Sequence, residues 1–333
     1  MTKREKQLYK SGRKNPDGFS KTPLILRIKY NKKFLVYSVV VLLFSVVINF
    51  ILLFNFLSPS ELYSKLGIID GIEKQNSDFA IYYLDVGQSD CSIITCDDKV
   101  MMIDSGTRSQ DIKIRAALFI LDIDKIDYLV ITHPHDDHMG SAAEIIKRFN
   151  VECIIMPKIS SENSVETLTY SNLIYSIAKN NVNPFTVVSG DKINLGKGVV
   201  DFLAPYEQTD DLNNMSIVLK VTYGDTSFLF QGDAEETIEN KIIKSNLDVS
   251  ADVIKVGHHG SNTSTNEKYL DQVNPSIAIV SCGSDNNYKH PNKQTIDILE
   301  EHNIKTYVTS YNGNIIATSD GKTVNILCEN KNT

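Results

Sequence analysis

Beyond residue 78 the chain is patterned as short apolar runs broken by polar turns. Residues 79–84, 91–95, 100–103 and 128–131 are such runs, four to six residues long and rich in Ile, Val, Tyr and Met. Their length and composition predict β-strands. Segments 109–121 and 140–149 predict helices, and 160–181 reads as mostly helical. A second strand-rich stretch covers 199–203, 216–223 and 227–231, followed by a helix at 234–244 and a strand at 253–256. Helices at 266–272 and 293–301 then alternate with strands at 277–281 and 305–308. A hairpin joins 314–318 to 323–327 through Ser319-Asp320-Gly321-Lys322, a turn containing glycine. Two strand-rich halves, each followed by helices, suit two sheets packed face to face with helices outside. The expected fold is α/β, a four-layer αββα sandwich.

One segment breaks this pattern. Residues 34–57 are 24 apolar residues without a charge, with Asn49 and Asn55 as the most polar exceptions. As a helix rising about 1.5 Å per residue they reach roughly 36 Å, enough to cross a bilayer. A cleaved signal peptide is the alternative, but its apolar region is usually about 7–15 residues and ends in a small-residue cleavage site. The expectation is one N-terminal transmembrane helix that anchors the protein in membrane lipid. Residues 1–33 carry eleven Lys or Arg and only Glu5 and Asp17 as acids, which places this tail in the cytoplasm. The expected order is a basic cytoplasmic tail (1–33), an anchor (34–57), a linker (58–77) and a folded domain (78–333). That domain would lie outside the plasma membrane, in a single-pass arrangement.

The tail conceals the charge of the rest. The whole chain is −7, and with eleven bases and two acids in the tail the remainder stands at −16. An acidic body argues against tight, non-specific binding of nucleic acid. The five cysteines, Cys91, Cys96, Cys153, Cys282 and Cys328, form no C-x-x-C pair and mostly sit in apolar stretches. They read as buried free thiols, with one disulfide as the open alternative.

The chemistry is concentrated in Thr132-His133-Pro134-His135-Asp136-Asp137-His138, an H-x-H-x-D-H segment directly after a predicted strand. Three imidazoles and two carboxylates in so short a stretch suit a borderline divalent ion such as Zn or Mn. The ends of strands are where α/β proteins build sites. Two other strands also run into polar tips. Gln231-Gly232-Asp233 ends in a carboxylate, and Lys255-Val256-Gly257-His258-His259-Gly260-Ser261 ends in paired imidazoles. Taken singly, Asp233 has the look of a turn residue and Lys255 that of a strand cap.

At this point the chain resembles the metallo-β-lactamase-fold hydrolases, and more closely the C-terminal hydrolase domain of the ComEC/Rec2 competence proteins. The matching motifs are Leu84-Asp85-Val86-Gly87-Gln88-Ser89-Asp90, Ile103-Asp104-Ser105-Gly106 and the His loop. They continue with Asn213-Asn214-Met215-Ser216, Gln231-Gly232-Asp233-Ala234, the His258-His259 segment, Ser281-Cys282-Gly283 and Asn286-Asn287-Tyr288-Lys289-His290-Pro291. The resemblance implies one or two divalent ions. His133 and His135 would hold the first. Asp137, His138 and His258 would hold the second, and Asp233 would bridge them. His259 would be the competing ligand of its pair or a supporting group, and Asp104 would orient a ligand histidine. Asp85, Gln88 and Asp90 would line the mouth. Asn213 and Ser216 lie where many fold members carry a third histidine for the first ion. This chain has none between His138 and His258, so that ion is short of a strong ligand and Mn gains over Zn. Ser89 replaces a usual glycine.

The reaction this implies is hydrolysis by ion-activated water, with Asp137 and His290 as catalytic residues. His290 would contact phosphate or protonate the leaving group, and Lys289 and Ser281 are weaker substrate contacts. The expected substrate is a phosphodiester, with nucleic acid first by resemblance. Cell-envelope material such as teichoic acid is the enzymatic alternative, and a non-catalytic surface-binding protein is the third reading.

Overall fold

The computed structural model describes residues 34–49, 58–159, 165, 167–206, 209 and 211–330. The chain divides into two units, 1–58 and 59–333. In the first, residues 34–49 are helical and their side chains are exposed. Among the described residues no helix is long and apolar enough to cross a membrane. The predicted anchor extends to residue 57, and its last third, like the basic tail, lies outside the described residues.

The second unit holds fifteen described strands in two sheets. The first sheet has the order β15-β14-β1-β2-β3-β4-β5-β6, and the second β13-β12-β11-β10-β9-β8-β7. In chain order, β1 is Phe79–Tyr83, β2 Ser92–Cys96, β3 Lys99–Ile103, β4 Lys125–Val130, β5 Asn150–Ile155, β6 Asn183–Phe185, β7 Lys192–Leu195 and β8 Gly198–Ala204. They continue as β9 Val218–Tyr223, β10 Thr226–Phe230, β11 Val253–Lys255, β12 Ile277–Val280, β13 Lys305–Val308, β14 Ile315–Ser319 and β15 Val324–Cys328.

β1 shows why its sequence is apolar throughout. Successive side chains of a strand point to opposite faces. Phe79, Ile81 and Tyr83 enter the core between the sheets, while Ala80 and Tyr82 enter the core under the helices. Both faces are buried, so the usual alternation disappears. Between the sheets, Phe79 stacks on Phe228 with centroids 5.1 Å apart, and Tyr83 on Phe230 at 5.8 Å. Helices Asp111–Ile120, Ala142–Arg148 and Leu168–Asn180 cover the first sheet. Glu236–Lys244, Glu267–Val273 and Lys293–Glu301 cover the second. The four-layer αββα arrangement is the one the sequence predicts.

Three features differ from the expectation. Residues 59–77, read as a linker, contain a helix (Pro59–Lys65) and bury Ile69 and Ile72 in the core under the first sheet. The C-terminal hairpin, which the sequence assigns to neither sheet, joins the first, where β14 pairs with β1. Strands β5, β6 and β7 have no counterpart among the predicted elements. β6 is exposed throughout and contains Pro184, which a strand tolerates at a sheet edge. β7 is an exposed edge beginning at Lys192, where charge discourages further pairing. All five cysteines are free thiols.

Candidate metal centre

The parallel strands β3 and β4 of one sheet and β10, β11 and β12 of the other all release their loops into one region. Asp104 follows β3 with φ +58, a left-handed conformation that aspartate tolerates better than most residues. From there Oδ1 accepts the Thr132 N–H at 2.8 Å and Oδ2 accepts the Thr132 hydroxyl at 2.9 Å. Oδ2 also lies 2.8 Å from Nδ1 of His138. Occupying Nδ1 fixes the ring and turns Nε2 toward Asp233, 3.2 Å from its Oδ1. Burial opposes a charge on His138, but Asp233 and Asp104 outweigh it and hold the ring well above its ordinary range. Asp233 is the converse. Burial opposes its ionisation, and His138, His259 and His133 outweigh that and keep the carboxyl well below the usual range.

His133 is fully buried. Its Nε2 lies 3.0 Å from His135 Nδ1 and 3.8 Å from Asp233. Two ring nitrogens at that separation require a proton or a cation between their lone pairs. Burial, followed by the neighbouring His138, pushes His133 well below its ordinary range, which suits a neutral ligand. Ser216 accepts the Asp233 N–H at 3.0 Å and its hydroxyl stands 3.4 Å from His133 Nδ1. It therefore braces both residues from beneath rather than meeting substrate. Asn213 lines the cleft, and its Oδ1 is buried without a hydrogen-bond partner.

The paired imidazoles occupy a tight turn in which His258 and His259 have φ of +48 and +54. Left-handed backbone at non-glycine residues costs about 1–3 kcal/mol each and persists only where the surroundings enforce it. Here the Gly257 N–H donates to Gln231 Oε1 and to Thr265 Oγ1, both at 3.2 Å. The Gln231 amide donates to the buried Glu239 at 2.7 Å. As a result His259 points inward, 2% exposed, with Nε2 3.3 Å from Asp137 and 3.7 Å from Asp233. His258 faces the opening, with Nδ1 3.2 Å from Thr263 Oγ1 and Nε2 3.7 Å from Asp233. The place expected of His258 beside Asp137 and His138 is thus taken by His259.

His259 is anchored behind the site. Its Nδ1 lies 3.1 Å from the Ser281 carbonyl and 3.3 Å from Asp90, and Asp90 is paired with the Lys255 ammonium at 2.8 Å. Asp90, expected at the mouth, is therefore a buried support. Lys255 is 3% exposed and is an internal counterion, not a strand cap. Ser281 contributes its carbonyl to His259, and its hydroxyl is buried. Asp85 turns to Lys113 at 3.4 Å and is absent from the cleft lining. Gln88 does line the cleft. Its Oε1 accepts the Gly283 N–H and its amide nitrogen lies 3.2 Å from His290 Nδ1. Lys289 is exposed in a left-handed conformation, φ +61. Thr132, Lys255 and Glu239 were not singled out as site residues, because their roles depend on burial behind the ligands.

These groups fit a metal. His133, His138 and Asp233 present ligand atoms within 4.8 Å of one another, as do Asp137, His138 and His259. His138 Nε2, His259 Nε2 and Asp233 Oδ1 are buried with no hydrogen-bond partner among the described residues. A divalent ion would take imidazole and carboxylate ligands together, in place of the ion pairs His138 Nε2 to Asp233 Oδ1 at 3.2 Å and His259 Nε2 to Asp137 at 3.3 Å. Asp233 and His259 open onto a cleft of about 420 Å³ walled also by His135, Asp137 and His290. A larger cavity of about 680 Å³, beside the helix Pro59–Lys65, has no histidine in its lining.

Comparison with known proteins gives the same picture. The Metallo-beta-lactamase superfamily model matches residues 84–284. ComE operon protein 3 of Bacillus subtilis is 33% identical over 196 residues, 58% of this chain and 24% of that protein. Recombination protein 2 of Haemophilus influenzae is 30% identical over 237 residues, 70% of this chain and 28% of that one. The chain thus spans about a quarter of the length of these relatives. Among solved structures, the metallo-beta-lactamase fold protein YhfI from Bacillus subtilis aligns over 75% of this chain and 100% of its own, at 10% identity and TM-score 0.49. By the family match over residues 84–284 the chain belongs to the metallo-beta-lactamase superfamily.

Proposed function

We propose that this metal-dependent hydrolase is a phosphodiesterase acting on nucleic acid, anchored in the plasma membrane with its catalytic domain outside. The observation that carries the reading is the convergence of the buried imidazoles of His133, His138 and His259 on the Asp233 and Asp137 carboxylates, of which Asp137, Asp233 and His259 line an open cleft. Divalent ions, Zn or Mn, supply Lewis acidity toward phosphoryl oxygens and lower the pKa of water. His133, His135 and Asp233 would hold one, and Asp137, His138, His259 and Asp233 the other.

The chain's own contribution beyond ligands centres on His290. Burial, then His259 and His258, push its ring down to about 4, so it is neutral near pH 7. The Gly283 N–H fixes the Gln88 carboxamide, which turns its N–H₂ toward His290 Nδ1. Nδ1 is then an acceptor and Nε2 carries the proton. This makes His290 a hydrogen-bond donor to a phosphate or leaving-group oxygen, rather than an imidazolium acid. The apolar run at 34–57 and the eleven basic residues before it support the anchor and its orientation.

A second substrate class is a phosphodiester of the cell envelope such as teichoic acid; it is a polyanion like DNA, so the charge of −16 outside the tail does not separate the two. The assay that separates them uses the full chain in mild detergent with Mn or Zn. It offers bis-p-nitrophenyl phosphate, single-stranded DNA and duplex DNA. Cleavage of the small diester and of DNA is expected. Cleavage of the small diester alone would remove the nuclease reading, and no turnover of any diester would remove the phosphodiesterase reading.

A further inference from the structure

The wall of the cleft ends in an aromatic ring that the site chemistry does not use. Tyr288 is 70% exposed and lines the cleft. One face of its ring stacks on His290, with centroids 5.6 Å apart and planes at 24°. His290 in turn lies near-parallel to His259, at 6.3 Å and 25°. Three rings therefore step from the ligand set to solvent, and the outermost has a free face.

The loop that presents this row is held rigidly. Asn286 Nδ2 donates to the Gly283 carbonyl at 2.7 Å and to the His290 carbonyl at 2.6 Å, and Asn286 Oδ1 accepts the His290 N–H at 2.8 Å. The loop is also locked to the histidine turn. A Cβ on Gly260 would lie 2.8 Å from that of Pro291, so only glycine admits this approach, and the Asn292 N–H donates to the Gly260 carbonyl at 2.8 Å. An exposed aromatic on a mobile tip would be unremarkable. This one sits in a loop tied to the histidine turn, with its ring stacked on His290.

We infer that Tyr288, backed by His290, is a stacking platform for a nucleobase next to the scissile phosphodiester. The inference rests on the phosphodiesterase reading and names the substrate as one that carries a flat ring beside its phosphate. Base-on-aromatic stacking tolerates any base, because each has a π-face. It adds affinity without phosphate contacts, which suits a protein whose acidic surface gains little from the phosphate backbone.

The test measures binding of phosphorothioate-linked six-nucleotide strands to the full chain with Mn present. One strand carries bases and one is abasic at every position. Wild type should prefer the base-bearing strand by roughly 5- to 150-fold. Tyr288→Ala should remove most of that preference, and Tyr288→Phe, which keeps the ring, should retain it. Equal binding of the two strands by wild type, or an unchanged preference in Tyr288→Ala, overturns the platform. If DNA is still cleaved in that case, the nuclease reading stands without it. If a sugar-substituted poly(glycerol phosphate) depends on Tyr288 and the bases make no difference, the ring serves an envelope polymer and the inference falls. Failure to bind either strand, together with no turnover of any diester, removes both.

Discussion

Lys255→Met tests whether the ion pair behind His259 supports the site. The ammonium is 3% exposed and 2.8 Å from an equally buried Asp90 carboxylate, whose other oxygen faces His259. At 2.8 Å and an effective dielectric near 20 the gross attraction is about 6 kcal/mol. Desolvation of both groups offsets much of that in the intact pair. Removing one partner leaves the other charge buried and costs about 3–5 kcal/mol. Methionine keeps the stem's volume, so the loss is electrostatic and not a cavity. Asp90→Asn in the same chain removes the stranded charge, and the double variant should be less destabilised than the two singles added together, by about 2 kcal/mol or more. The assay is urea unfolding of the metal-free chain in mild detergent, followed by far-ultraviolet circular dichroism, since the chain has no tryptophan. Asp90→Asn should bind Mn or Zn about 10- to 100-fold more weakly, because the carboxylate beside His259 Nδ1 is gone. A loss under about 1 kcal/mol, or strict additivity, would refute the reasoning.

Three other outcomes follow from the geometry. His259→Ala should lose far more bound metal than His258→Ala when both are titrated against a chromophoric chelator; the reverse order would restore His258 as the ligand. Asp104→Ala should weaken metal binding about 10- to 100-fold while leaving the circular dichroism spectrum intact, since Asp104 positions Thr132 and His138; unchanged affinity would show that its role is confined to the turn. Hydrogen bonding to Lys220 and then Ser250 holds the Asp248 carboxyl down at about 2, below its ordinary 3.8. Its contribution to stability is therefore complete above pH 3.8 and is lost as pH falls toward 2. Asp248→Asn should be less stable at neutral pH and lack that loss, and parallel pH profiles for the two proteins would contradict this.

The His loop was legible because seven consecutive residues carry its chemistry, and Asp233 because an apolar strand delivers it to the same edge. The choice between His258 and His259 was not, since it rests on two left-handed φ values that the sequence does not display. Lys255 and Asp90 looked like surface groups, because a charged residue at a strand end is usually solvated; their burial follows from the loops that close over them. Most core strands announced themselves by apolar runs, as in β1; β5 did not, because Asn150 and Glu152 interrupt its apolar residues. β6 and β7 did not, being short, exposed and at sheet edges, where polar residues and proline are tolerated. Ile69 and Ile72 show the limit of reading linkers from glycine and proline alone: two anchoring side chains fasten an otherwise turn-rich segment to the core.

The return of the C-terminal hairpin to β1 has a consequence for the order of assembly. Phe79 pairs with Ser319, about 240 residues further along. The first sheet, which carries the His loop, therefore cannot be completed until nearly the whole domain has been synthesised. Contacts this distant in sequence slow folding. Until β14 is made, β1 waits with one open hydrogen-bonding edge. A chain interrupted before residue 315 would keep that edge exposed, as a template for pairing with other strands. The last hairpin thus covers the β1 edge only in chains that have been made as far as β14.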